Sequence, residues 1–479
     1  MSLSTRLSAI ALGLLVIACS SSTAPSAAGI HFVSGSKQTD TIQSVLPQPL
    51  VIQLTAPTSV AFQTVTFTAI DSEALVAATA VSTPASKISL TTDANGSAGI
   101  TVILGKHAGR AGVIVNAPML NYTLTANFTV NPGAAVAVQA LPSDTTIYVG
   151  KSVPLRITLV DRFGNARSGG TFQVTDSGPA TISGTTATGT AIGNVSLTVA
   201  SGTYQAFSFI SVVPAGRIAA AMPDSNIVLI NLDGSQPQIL HTPRGALSMA
   251  WNPSGTLLAF TESPPNFAPP PQSTTWPLRT ITPSGTITAV DSVLGVEEIV
   301  ASFSPDGSLI YFNRNGQLWQ VHPDGTGNSQ YPDPAASGQP SPDGKYVLYF
   351  SGSTGNAYEN VYVLNTSTNV MTNLTTITGL QGLNGAWSPT GDLIAFVSWD
   401  HSEEAVGSVH IVAPDGTGLR TLAQGAYFYS GPVSWSPDGN FLIVGSFQNS
   451  AEIIGVTTPV DLPLAFTYTR SLYNTAWQP

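Results

Sequence analysis

The sequence predicts an all-β protein, with sandwich-like modules ahead of a long run of repeated four-stranded units. Three observations predict it. Glycine (44) and proline (35) are abundant while charged residues make up only 9% of the 479 positions, a balance that suits short strands and tight turns better than salt-bridged helices. Apolar, β-branched residues alternate with polar ones in short runs such as Leu50 to Thr55 and Leu155 to Leu159. One turn phrase recurs after residue 217, each time followed by an apolar strand.

The length exceeds the ~250–300 residues at which a single core stops growing, so several cores are expected. With 43% hydrophobic residues there is material to fill them. A formal net charge of −10 and a pI near 4.9 argue against a nucleic-acid partner, because neutralising phosphates requires basic surface. Cations or basic partners suit this charge better.

Residues 1–18 read as an export signal: Arg6 precedes an apolar run from Leu7 to Ala18 that is too short to span a bilayer. The run ends Val16-Ile17-Ala18-Cys19, which resembles the lipobox of bacterial lipoproteins. The resemblance implies that Cys19, the single cysteine, carries a lipid anchor as the first mature residue. A lone thiol in an exported chain otherwise lacks a role. Residues 19–29, small and polar, then form a flexible linker from the lipidated residue. Ser20 behind the cysteine resembles outer-membrane sorting, so the expected location is the cell envelope, membrane-attached through the lipid.

Two modules follow, 30–132 and 133–215. Each closes on a strand ended by proline and glycine, at Asn131-Pro132-Gly133 and at Pro214-Ala215-Gly216. Thr92-Asp93-Ala94-Asn95-Gly96 with its following strand, and Val160-Asp161-Arg162-Phe163-Gly164-Asn165, are similar to turns of bacterial Ig-like domains. That resemblance implies β-sandwiches serving as spacers or stalks. Asn95-Gly96 accounts for itself as a hairpin turn without any ligand.

From 216 to 479 the phrase appears as Trp251-Asn252-Pro253-Ser254-Gly255, Phe303-Ser304-Pro305-Asp306-Gly307, Ser341-Pro342-Asp343-Gly344, Trp387-Ser388-Pro389-Thr390-Gly391 and Trp435-Ser436-Pro437-Asp438-Gly439. Proline fixes φ and glycine admits the left-handed turn, so each phrase is a hairpin between two strands. At ~40 to 45 residues per unit, Arg217 to Pro479 accommodates six blades of a β-propeller. The segment opens on strands that read as second, third and fourth members of a unit. Leu472 to Pro479 ends in the Trp-x-Pro phase of a first strand, so the two ends are expected to pair and close the ring. The region resembles the TolB-like, WD-repeat-like propeller family, and membership implies protein or ligand binding.

A ligand face is expected where strands two and three are joined and where one unit enters the next. It collects Glu262, Glu297, Glu298, Glu359, Trp399, Asp400, His401, Glu403, Tyr427 and Tyr429, acidic and aromatic residues suited to a cation, a basic peptide or a sugar. Solvated loops of no special function are the plainer reading of the same residues. Asp306, Asp343 and Asp438 recur in one turn position and read as turn-formers, not metal ligands. Trp251, Trp387, Trp435 and Trp477 share a phase that suggests packing between units. No catalytic residue, metal site or cofactor is expected, since nucleophile elbows, metal-spaced histidines and phosphate loops are lacking. The reading is therefore an envelope-anchored binding lipoprotein with a protein or glycan partner. The competing readings are a propeller hydrolase or lyase acting on envelope or extracellular polymers, and a structural subunit of an envelope complex.

Overall fold

Strands form where β-branched residues alternate with polar ones, because only an extended chain places every second side chain on one face. The computed structural model describes residues 28–222, 226–262, 276–293, 296, 298–332, 338–352, 359–374, 380, 382–399, 407–425, 433–445, 451–457, 461–464 and 474–479. It is all-β, and its described residues divide into two compact units, one holding positions up to 139 together with 158–171, the other 140–157 together with 172–479.

In the first unit one sheet runs Gly29–Ser34, Leu50–Thr55, Ser97–Leu104, Ala74–Ala77 in spatial order. A second runs Thr39–Thr41, Tyr122–Asn131, Gly109–Ala117, Thr64–Ile70, Lys87–Thr91. Leu50, Ile52 and Leu54 from the first sheet and Val65, Phe67 and Val115 from the second share one buried core. Phe67 is wholly buried there, so Phe67→Ala is expected to cost about 3–5 kcal/mol, read as a lowered denaturation midpoint. The Asp93 turn is self-contained: its Oδ1 accepts the N–H groups of Asn95 (2.8 Å) and Ser97 (2.9 Å). Gly96 sits at φ 81°, where a Cβ would lie 2.6 Å from Val60 Cγ2. A hairpin therefore accounts for this motif.

Asp161 works the same way on a larger scale. Its Oδ1 accepts the N–H groups of Phe163 (2.8 Å) and Asn165 (3.0 Å), and its Oδ2 accepts that of Gly133 (2.8 Å). Burial alone would raise this carboxyl, but the Asn165 amide and the three backbone donors bring it down to about 2.

The second unit begins with a four-stranded sheet, Asp144–Tyr148, Tyr204–Val213, Gly193–Ser201, Gln173–Ser177, and a three-stranded one, Ser152–Pro154, Thr186–Gly189, Ala180–Ser183. Six four-stranded antiparallel sheets follow among the described residues. The first is Gln238–His241, Asn226–Asn231, Arg217–Ala221 and Thr475–Trp477, completed by the C-terminal strand through Ile218↔Trp477, Ala219↔Ala476 and Ala220↔Thr475. The second is Ala246–Trp251, Leu258–Glu262, Leu278–Ile281, Ile287–Asp291, and the third Glu298–Phe303, Ile310–Arg314, Gln317–Val321, Ser329–Gln330. The fourth is Gly338–Pro340, Tyr346–Gly352, Glu359–Asn365, Val370–Asn373, and the fifth Gly382–Trp387, Ile394–Trp399, Gly407–Val412, Arg420–Gly425. Val433–Trp435, Phe441–Gly445, Ala451–Gly455 and Asp461–Leu464 make the sixth.

Tryptophans join neighbouring sheets. The indole N–H of Trp387 donates to Gln339 O (2.9 Å), that of Trp435 to Ala386 O (3.0 Å) and that of Trp251 to Ala476 O (3.3 Å). The backbone N–H of Trp477 donates to Ser434 Oγ at 2.9 Å. The C-terminal strand is thus bonded to the sixth sheet on one side and the second on the other. All four rings are buried, which fits their expected packing role.

The repeated turn satisfies itself as well. Ser304 Oγ donates to Asp306 Oδ1 (2.6 Å) and accepts the Leu309 N–H (2.9 Å), with Gly307 at φ 72°. Ser341 with Asp343 and Ser436 with Asp438 repeat this pattern, and Asp392 takes the aspartate's place beside Ser388 where Thr390 interrupts the phrase. These aspartates act as turn-formers. Hydrogen bonds from Ser304 and Ser308 hold the Asp306 carboxyl down to about 2.

Candidate functional site

The candidate site lies at one end of the second and third sheets, where strands two end and strands one begin. Register shifts between Ala246 and Ser248, Leu278 and Arg279, and Val300 and Ser302 cluster at this end. Such bulges re-aim side chains that a regular pleat would hold apart. Thr261 fastens the two sheets together: its Oγ1 donates to Glu298 O (2.7 Å) and accepts the Val300 N–H (3.0 Å).

Five charged side chains converge here. Glu262 Oε2 lies 3.0 Å from Arg279 Nε, and Glu298 Oε1 lies 2.7 Å from Arg314 Nη2, its partner directly across the strand pair. Asp291 Oδ2 contacts the same Nη2 and also takes the Asn328 side-chain amide. The Arg314 guanidinium stands 4.3 Å from the centre of the Trp319 ring and 5.0 Å from that of Phe312, so two aromatic rings also attract the cation. Glu262 is 2% exposed and Glu298 0%, and one oxygen of each, Oε1 and Oε2 respectively, is buried with no hydrogen-bond donor. Burial first, and then the Asp291 charge, push Glu298 up to about 7 against the opposing pull of Arg314.

Of the residues expected on a ligand face, Glu262 and Glu298 are brought together. They occupy strand ends and are buried in ion pairs, which corrects their expected place in open, solvated loops. The reason is nonlocal: each meets an arginine on another strand. Glu359 and Trp399 are described as backbone only, at the start of Glu359–Asn365 and the end of Ile394–Trp399. Glu297, Asp400, His401, Glu403, Tyr427 and Tyr429 lie outside the described residues. Arg279, Asp291 and Arg314 were missed by sequence reasoning, although arginines inside apolar strands of a chain this poor in charge are a usable signal.

Two further places bear on function. His410 in the fifth sheet is 3% exposed, with Nε2 2.6 Å from Ser398 Oγ and Nδ1 3.1 Å from Thr421 Oγ1. Burial pulls it down to about 4, so it is a neutral hydrogen-bonding core residue near neutral pH. An open cleft of about 550 Å³ is lined by Tyr148, Arg217, Asn231, Asp438, Phe441 and Trp477 among others. There the Tyr148 hydroxyl donates to Gly216 O (3.2 Å), and burial with the nearby Asp233 charge pushes Tyr148 up to about 12.

Among the described residues no helix is long and apolar enough to cross a membrane, and no group of three or more histidine, cysteine or carboxylate side chains is placed to hold a metal ion. No protein-family model and no curated protein matches the chain. Solved structures that resemble it include a chain of a nidogen/laminin complex, at TM-score 0.42 and 10% identity, covering 55% of this chain and 98% of that one. A protein of Agrobacterium tumefaciens described as a TolB is similar at TM-score 0.40 and 16% identity over 52% of this chain and 89% of that one. A chain of the hydrazine synthase of Kuenenia stuttgartiensis is similar at TM-score 0.35 and 12% identity, over 54% and 73% respectively.

Proposed function

We propose that this is an exported lipoprotein, anchored in the cell envelope through Cys19, whose C-terminal half is a six-bladed β-propeller acting as a binding platform. Two Ig-like modules form its stalk. The observation that carries the reading is the strand Thr475–Trp477, which completes the sheet begun by Arg217–Ala221 and is bonded to both neighbouring sheets. Closure of this kind removes the free edge and leaves a rigid ring on which loops are free to vary. One rim carries the repeated Ser-Pro-Asp-Gly turns. The strand ends of the other rim lead into segments of unlike composition, proline-rich 263–275, acidic 400–406 and aromatic 426–432. A rim of uniform turns opposite a rim of dissimilar segments fits recognition of a protein or glycan partner, by binding and without turnover.

The anchor is tested by metabolic labelling with an alkynyl fatty acid. The wild-type chain is expected to take the label and sediment with outer membranes, and Cys19→Ala to lose both. A labelled or still membrane-bound Cys19→Ala chain would overturn the anchor. The platform is tested by cross-linking the native protein in its envelope. One saturable partner is expected, with cross-links lost on replacing Tyr427 and Tyr429 by alanine; unchanged cross-links would move the site elsewhere.

A further inference from the structure

We propose that the second and third sheets are joined by a proton-dependent clip, in which one proton bound at Glu298 holds their shared end together. This goes beyond the binding reading and does not rest on it. The described charged groups acting on Glu298 are Asp291 from the second sheet and Arg314 from its own, while Glu262 and Arg279 pair with each other at the same end of the second sheet; from the fourth sheet the uncharged Gln339 side chain donates to Ala301 O at 3.3 Å. Two carboxylates, Asp291 and Glu298, therefore share one guanidinium.

Arg279 is matched to Glu262. The single Nη2 of Arg314 serves both Asp291 and Glu298, which leaves one negative charge unanswered. It falls on the least tolerant member, because Glu298 is fully buried and its Oε2 has no donor. A proton on Glu298 cancels that charge and frees Arg314 for Asp291. When the proton leaves, two carboxylates repel across the joint between the sheets. The Glu298 carboxyl, raised to about 7 by burial and by Asp291, sets the transition near neutral pH. The sign follows: the folded state holds this proton more tightly than the unfolded chain, so the stabilisation is complete below about 4.5 and is lost as pH rises through about 7.

The test is hydrogen exchange of the full chain between pH 5 and 9, corrected for intrinsic rates. Peptides covering 278–291 and 298–314 are compared with peptides covering 433–455. Between pH 5 and about 7 the first two are expected to lose protection by up to about tenfold per pH unit relative to the third, the limit for one linked proton, and to level off above 7. Glu298→Gln, near-isosteric and permanently neutral, is expected to keep protection constant across the range. Asp291→Asn is expected to move the transition to higher pH if its lost hydrogen bonding dominates, and to lower pH if repulsion does; the clip requires the latter. A pH-independent wild type, a Glu298→Gln profile that follows the wild type, or an Asp291→Asn transition that fails to fall each overturns the proposal.

Discussion

Removal of residues 474–479 is expected to make the chain self-associate beyond its wild-type state and unfold without a sharp transition. The deletion strips the partner from Arg217–Ala221, whose Ile218, Ala219 and Ala220 are wholly buried, and so exposes apolar side chains along an unpaired strand edge. It also removes the Ala476 carbonyl that accepts the Trp251 indole. The edge is long enough to pair with a second chain. Light scattering after size-exclusion chromatography, with a denaturation curve, reads both effects. The point variant Trp477→Ala is expected to cost about 3–5 kcal/mol, because the ring is buried and packs with Ile218, Ile230 and Ile453. A monodisperse truncated chain with an unchanged midpoint would show that the strand does not close the ring.

Arg314→Ala should be nearly as damaging, and its damage should depend on pH. At pH 8 it leaves Asp291 and Glu298 together without their shared guanidinium, and breaking a buried pair in this way costs about 3–5 kcal/mol. At pH 5 the cost is expected to shrink, because Glu298 is then protonated in the wild type and Arg314 has only Asp291 to answer. Arg314→Lys keeps the charge but loses the flat contact with Trp319 and Phe312, so an intermediate loss is expected. Chemical denaturation of all three proteins at the two pH values decides this. Equal costs at pH 5 and pH 8 would mean that the carboxylates are not the reason for the loss.

The wild-type profile conceals these effects. His410 is held neutral in the folded state down to about 4, so its contribution is lost as pH falls from 6.5 towards 4, just where Glu298 gains. Asp306 adds an acid limb, with stability lost as pH drops from 3.8 towards 2. The Glu298 and His410 contributions oppose each other between about 4.5 and 6.5, which is why comparison with Glu298→Gln carries more information than the wild-type curve alone.

Strands, turns and the pairing of the two ends of the repeat region were legible in the residues alone. Each of these rests on local physics: period-two alternation in Leu50–Thr55, proline and glycine dihedrals in Ser304 to Gly307, and a first-strand phase at Trp477 that only an incomplete sheet could use. Which charges meet was set by the packing of the sheets. Glu298 follows Glu297 directly and Glu262 opens a proline-rich segment, and nothing local distinguishes a carboxylate bound for a solvated loop from one bound for a buried ion pair. That choice depends on bulges at Ala246, Leu278 and Val300 and on Arg314 arriving opposite Glu298 from the next strand. The grouping of 158–171 with the first unit and 140–157 with the second is decided in the same way, by contacts between segments distant in sequence. Alternation and turn chemistry are properties of neighbouring residues, whereas burial and charge pairing exist only once the sheets have packed.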